Sequence, residues 1–85
     1  MKAAQMKQPT ALESARDEAL RQNIERRGTV RLDHMEYRSL RLNQGWSKAE
    51  VDRSVDRLAE RGAIFIEVLP AGVLRIGAYR EEFGA

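Results

Sequence analysis

The side chains able to do chemistry here are few in kind. Fifteen Lys and Arg stand against thirteen Asp and Glu, a net charge of +2, and twelve of the fifteen are Arg. A guanidinium offers a planar fork of donors that fits phosphate oxygens and guanine edges. A GC-rich coding sequence produces the same bias, so Arg richness alone selects no partner. There is no cysteine. That excludes disulfides, thiolate catalysis and a cysteine-based zinc site, and it suits a cytoplasmic protein. The single histidine, His34, lies between Asp33 and Glu36, whose spacing is that of a helix start and not of a proton relay. No metal-ligand cluster, glycine-rich phosphate loop or nucleophile–base pair appears. No catalytic residue, metal or cofactor is therefore expected, and the chain does not read as an enzyme. What remains is recognition by charge.

Three segments have the periodicity and start signals of helices. Thr10 is placed to cap a first helix, with Glu13 as its capping-box partner, and the helix should run to about Arg27 before Gly28. Its apolar residues, Leu12, Ala15, Ala19, Leu20 and Ile24, make a broad stripe interrupted by Arg16 and Asn23, a face that a partner chain would complete. Asp33 and Glu36 open a second helix ending near Leu42, with Leu32 and Tyr37 at hydrophobic-staple spacing and Asn43-Gln44-Gly45 as the turn. Ser47 and Glu50 open a third, Ser47–Arg61, which stops at Gly62; Trp46 and Val51 form its staple. Staple spacing favours Trp46 as a packing residue over an exposed recognition aromatic. Val51, Val55 and Leu58 share the inner face of this helix, and Ala49, Arg53, Asp56, Arg57 and Glu60 the outer one.

The rest of the chain reads as strand. Thr29–Leu32 is a short β-branched segment suited to the edge of a sheet. Ala63–Leu69 and Val73–Tyr79 flank Pro70-Ala71-Gly72, which fits a type I turn followed by a left-handed Gly in a G1 bulge. Opposed residue numbers then sum to 142. Val68 faces Leu74, Ile66 faces Ile76 and Ile64 faces Ala78, all on the expected core face. On the other face Glu67 meets Arg75 and Phe65 lies over Gly77.

Eighty-five residues make one domain, expected over residues 10–79, with tails at 1–9 and 80–85. Phe83 in the second tail is a candidate to pack on the domain. A chain this short buries only about 60% of its unfolded surface. No run of about 18 apolar residues offers a membrane span. Met1–Gln8 has no apolar stretch of the secretory kind.

The pattern Trp46-Ser47-(x)3-Val51-(x)3-Val55-(x)2-Leu58-(x)3-Gly62-Ala63-Ile64 resembles the turn, recognition helix and first wing strand of the winged helix-turn-helix superfamily. The resemblance extends over about Ala19 to Ala78. It implies an α+β fold, mainly helical, of three helices plus a two- or three-stranded antiparallel wing. Members are mostly DNA-binding transcriptional regulators; a minority bind RNA or proteins.

For this chain the resemblance implies that the third helix enters the major groove while the second crosses the backbone. Lys48, Asp52, Arg53, Asp56 and Arg57 are then the base-reading candidates. Ser47 and the first-turn amides would hold a phosphate. Arg38, Arg41 and Gln44 would contact the backbone, with Arg31 as a weaker addition; Arg38 and Arg41 have no acid four residues away. Two features depart from the DNA-binding pattern. Trp46–Gly62 balances four bases against four acids, although phosphate contacts supply much of the usual affinity. The wing tip, Pro70-Ala71-Gly72, carries no charge. The first expectation is a DNA-binding transcriptional regulator that forms a homodimer to gain a second half-site. The alternative is a winged-helix protein-interaction or assembly module, whose partner is another protein.

Overall fold

The computed structural model describes residues 8–79; the expected tails, Phe83 included, lie largely outside them. Three helices and a three-stranded antiparallel sheet form a winged-helix-like arrangement, in the order α1 (Ala11–Arg27), β1 (Thr29–Leu32), α2 (His34–Gln44), α3 (Lys48–Glu60), β2 (Ile64–Val68) and β3 (Leu74–Ala78). No helix among the described residues is long and apolar enough to cross a membrane.

The helix starts follow from their caps. Thr10 Oγ1 accepts from the Glu13 amide at 3.0 Å, and Glu13 Oε1 accepts from the Thr10 amide at 2.9 Å. Ser47 and Glu50 exchange the same two bonds at the start of α3. At α2 only half of the expected box forms. Asp33 accepts from the Glu36 amide at 2.9 Å, but the Glu36 carboxylate turns to Arg27, at 2.8 and 3.0 Å. A guanidinium competes better for a carboxylate than one backbone amide does. The end of α3 is a Schellman motif: Ala63 N–H donates to Leu58 O and Gly62 N–H to Ala59 O, with Gly62 at φ 77°.

The sheet order is β1-β3-β2. The β2–β3 register is the expected one, from Ile64 opposite Ala78 to Val68 opposite Leu74. β1 pairs along the other side of β3, with Val30 opposite Ile76. The buried core comprises Leu20, Ile24, Val30, Leu32, Leu40, Val51, Val55, Leu58, Ile64 and Ile76. Trp46 and Tyr37 pack against it as partly buried staples.

Three expectations are corrected. The inner face of the hairpin is core along β3, where Ile76 is buried and Leu74 packs on the core, but on β2 only at its start: Ile64 is 1% exposed, while Ile66 is 37% and Val68 72% exposed. Alternation decides which side chains share a face; it does not decide how far the helix layer reaches, and the distal half of β2 stands clear of it. In α1 the inward face is Asp17, Leu20 and Ile24, while Leu12 is 71% exposed and Ala15 and Ala19 face outward. Asp17 displaces the apolar stripe because a basic partner waits for it on α3. At the wing tip Ala71 has φ 70°, ψ 15° and Gly72 φ 77°. Two consecutive left-handed residues replace the type I turn, and Ala71 bears a conformational cost that Gly would not. The tip is closed by Leu69 N–H to Val73 O at 2.7 Å and Gly72 N–H to Leu69 O at 3.2 Å.

Candidate nucleic-acid interface

The surface around α2 and the start of α3 is built from the staple residue Tyr37. Tyr37 leans from α2 toward α3, where its hydroxyl donates to Asp52 Oδ1 at 2.5 Å. Lys48, one turn earlier on α3, donates to Asp52 Oδ2 at 3.0 Å, and its ammonium lies 4.8 Å from the Tyr37 ring centroid. Burial of the phenol, helped by the bond to Asp52, holds Tyr37 protonated well above its ordinary range. Tyr37, Asp52 and Lys48 therefore lock α2 to the first turns of α3.

Beside this lock lies a shallow depression of about 220 Å³ lined by His34, Tyr37, Arg38, Arg41 and Lys48. The spacing of His34, Arg38 and Arg41 along α2 aligns them on one exposed face. Neither Arg38 nor Arg41 has an ion-pair partner among the described residues. Past Tyr37 the surface opens into a wider depression of about 640 Å³ between α3 and the wing, bordered by Asp33, Asp52, Asp56 and Gly72–Leu74. The concave face is thus basic on the α2 side and acidic toward the wing. A basic rim over an aromatic floor can hold a polyanion by charge. Among the described residues no group of His, Cys, Asp and Glu stands ready to hold a metal.

The remaining candidates divide. Arg53 and Asp56 are exposed on the outer face of α3, and neither makes an ion pair among the described residues. Ser47 is exposed, but its hydroxyl accepts from the Glu50 amide. The Glu50 carboxylate occupies the helix start, where the Ser47 amide holds it below the ordinary range. Any phosphate at this N-terminus would compete with that acid. Gln44 borders a separate depression on the α1 side with Leu12, Arg16 and Trp46, away from Arg38 and Arg41. Arg31 is exposed toward the tip end of the wing, with Pro70 and Val73.

Arg57 does not lie on the open face with Arg53. It reaches inward to α1, where Nε and Nη2 donate to the two carboxylate oxygens of Asp17 at 2.8 and 2.9 Å. Asp17 is 1% exposed. Its burial would raise its pKa, but the bonds from Arg57 and Ser54 outweigh that and hold it below 3.8. Arg16 makes a second bridge from α1, 3.5 Å from Glu50. His34 and Tyr37 join the site without having been expected there. For Tyr37 the staple position was the available signal; for His34 it was the four-residue step to Arg38. Comparison with protein-family models, with curated proteins and with solved structures gives no match.

Proposed function

We propose that this chain is a small winged-helix DNA-binding protein of the cytoplasm that regulates transcription. The observation carrying this reading is the convergence of His34, Arg38, Arg41 and Lys48 on one depression, with both arginines unpaired among the described residues. Under this reading Arg38 and Arg41 hold phosphates as α2 crosses the backbone, and α3 presents Arg53 and Asp56 to base edges in the major groove. Arg53 would suit guanine, and Asp56 can only accept, as from cytosine N4.

The test is binding to a random duplex library at low and at physiological salt. Affinity should fall steeply with salt. Arg38→Glu with Arg41→Glu should weaken binding to all sequences and lower the slope of log K against log salt by about 0.9 for each phosphate no longer neutralised. Arg53→Glu should change which sequences are returned. Unchanged affinity in the folded Arg38→Glu, Arg41→Glu variant would remove the α2 surface from the reading. Arg57 is unsuited to this test because its substitution attacks the core.

A second reading, a protein-interaction module, draws on exposed Leu12 beside Ala15 and Trp46. It predicts no duplex binding at physiological salt and a stable complex with a protein partner.

A further inference from the structure

The two outer edges of the sheet differ. On β1 the Arg31 carbonyl is taken by the Asp33 amide at 3.0 Å as the chain turns into α2. β2 forms the other edge. Leu69 N–H donates to Val73 O, so this is a hydrogen-bonded pair, and antiparallel alternation makes Glu67/Arg75 and Phe65/Gly77 the next ones. The main-chain groups of Ile64, Ile66 and Val68 therefore point away from β3. No backbone partner meets them among the described residues. The adjoining inner face is apolar and bare at Ile66 and Val68. Folded proteins guard such edges with Lys, Pro, a bulge or a covering segment. β2 has no such guard among the described residues, and its one charge, Glu67, is bound by Arg75 on the outer face at 2.9 Å.

We propose that β2 pairs antiparallel with β2 of a second copy of this chain, about a two-fold axis at Ile66. The strand is its own complement in this register. Ile66 meets Ile66 of the copy, and Ile64 meets Val68 of the copy, so every outward amide and carbonyl of the strand finds a partner. Phe65 falls opposite Glu67 of the copy, which keeps the two carboxylates apart. Centring on Glu67 instead sets like charges face to face and places Ile64 against Pro70, which has no N–H to donate. Centring on Phe65 pairs Val68 with Gly62, beyond the strand. Only the Ile66 register uses all of Ile64–Val68, and it joins two three-stranded sheets into one through an isologous contact.

Sedimentation velocity on the full chain without DNA tests this, and its outcome is independent of duplex binding. The mass should rise with concentration from 9.7 kDa to twice that value. Val68→Lys adds a charge at the exposed end of the strand. Ile66→Pro removes an outward N–H and spares the β2–β3 ladder. Each should return the monomer with an unchanged far-UV spectrum. A monomer mass at every concentration overturns the proposal. So does a dimer that survives Val68→Lys with the fold intact.

Discussion

Arg57→Met should destabilise the domain more than Asp17→Leu, although both remove the same ion pair. The asymmetry comes from what each leaves behind. Asp17 is 1% exposed, so without Arg57 its carboxylate is buried with little beyond Ser54 to satisfy it. Breaking a buried pair in this way costs about 3–5 kcal/mol. The Arg57 side chain keeps 23% of its exposure and has Glu13 at 3.9 Å, so without Asp17 it can turn to water and to that second acid. The cost of Asp17→Leu should then be about 1–2 kcal/mol. The double variant leaves no charge stranded and should lie within about 1 kcal/mol of the parent, or above it. Urea unfolding followed by circular dichroism measures all four proteins. The pH dependence supplies a second reading. The folded pKa of Asp17 is depressed below 3.8, so the pair stabilises fully above 3.8 and is lost as pH falls through the lower, folded value. The gap between parent and Arg57→Met should therefore narrow in acid. If Arg57→Met proved no worse than Asp17→Leu, or the double variant as unstable as the sum of the singles, the burial reasoning would be refuted.

Two further predictions concern the wing. A Cβ at Gly77 would lie 2.5 Å from Phe65 Cζ and 3.1 Å from Thr29 Cγ2. Gly77→Ala should cost about 1–3 kcal/mol, and Phe65→Leu in the same chain should recover part of it; a cycle of thermal melts with no coupling between the two sites would refute the contact. Ala71→Gly relieves about 1–2 kcal/mol of left-handed strain and returns part of it as unfolded-state entropy. A net gain of about 0.5 kcal/mol, a rise of a few degrees in Tm, is expected; a fall in Tm would contradict the strained tip.

The local features were legible because short-range chemistry fixes them. Caps at Thr10 and Ser47, the stop at Gly62 and the β2–β3 register each depend on residues a few positions apart. The features that escaped depend on distance in the chain. Nothing near Asp17 announces that its partner is Arg57, forty residues on, and the amphipathic rule assigned the inward face to Leu12 and Ala15 instead. The bareness of Val68 depends on where the helix layer ends, which no alternation encodes. At the candidate site, Arg38 and Arg41 were legible because no acid sits one turn away. The capture of Asp52 by Tyr37 was not, since it joins two helices across the turn.

The balance of charge on α3 now has a physical division. Arg57 belongs to Asp17, Glu50 to the helix cap and Arg16, and Lys48 and Asp52 to each other and Tyr37. Of the eight charges between Trp46 and Gly62, Arg53, Asp56, Glu60 and Arg61 are left over, and these again sum to zero. A helix with that residue of charge has little long-range attraction for a polyanion. Under the proposed DNA-binding reading, attraction must therefore come from α2, through Arg38 and Arg41, and discrimination from α3, through Arg53 and Asp56. The two roles separate in measurement. Neutralising Arg38 and Arg41 one at a time should flatten the salt dependence in steps while leaving the preferred sequence unchanged. Arg53→Ala should relax the preference at one base pair, costing about 1–3 kcal/mol there, while leaving the salt slope almost unaltered. A chain in which Arg53 controls the slope and Arg38 the sequence would reverse this assignment of helices.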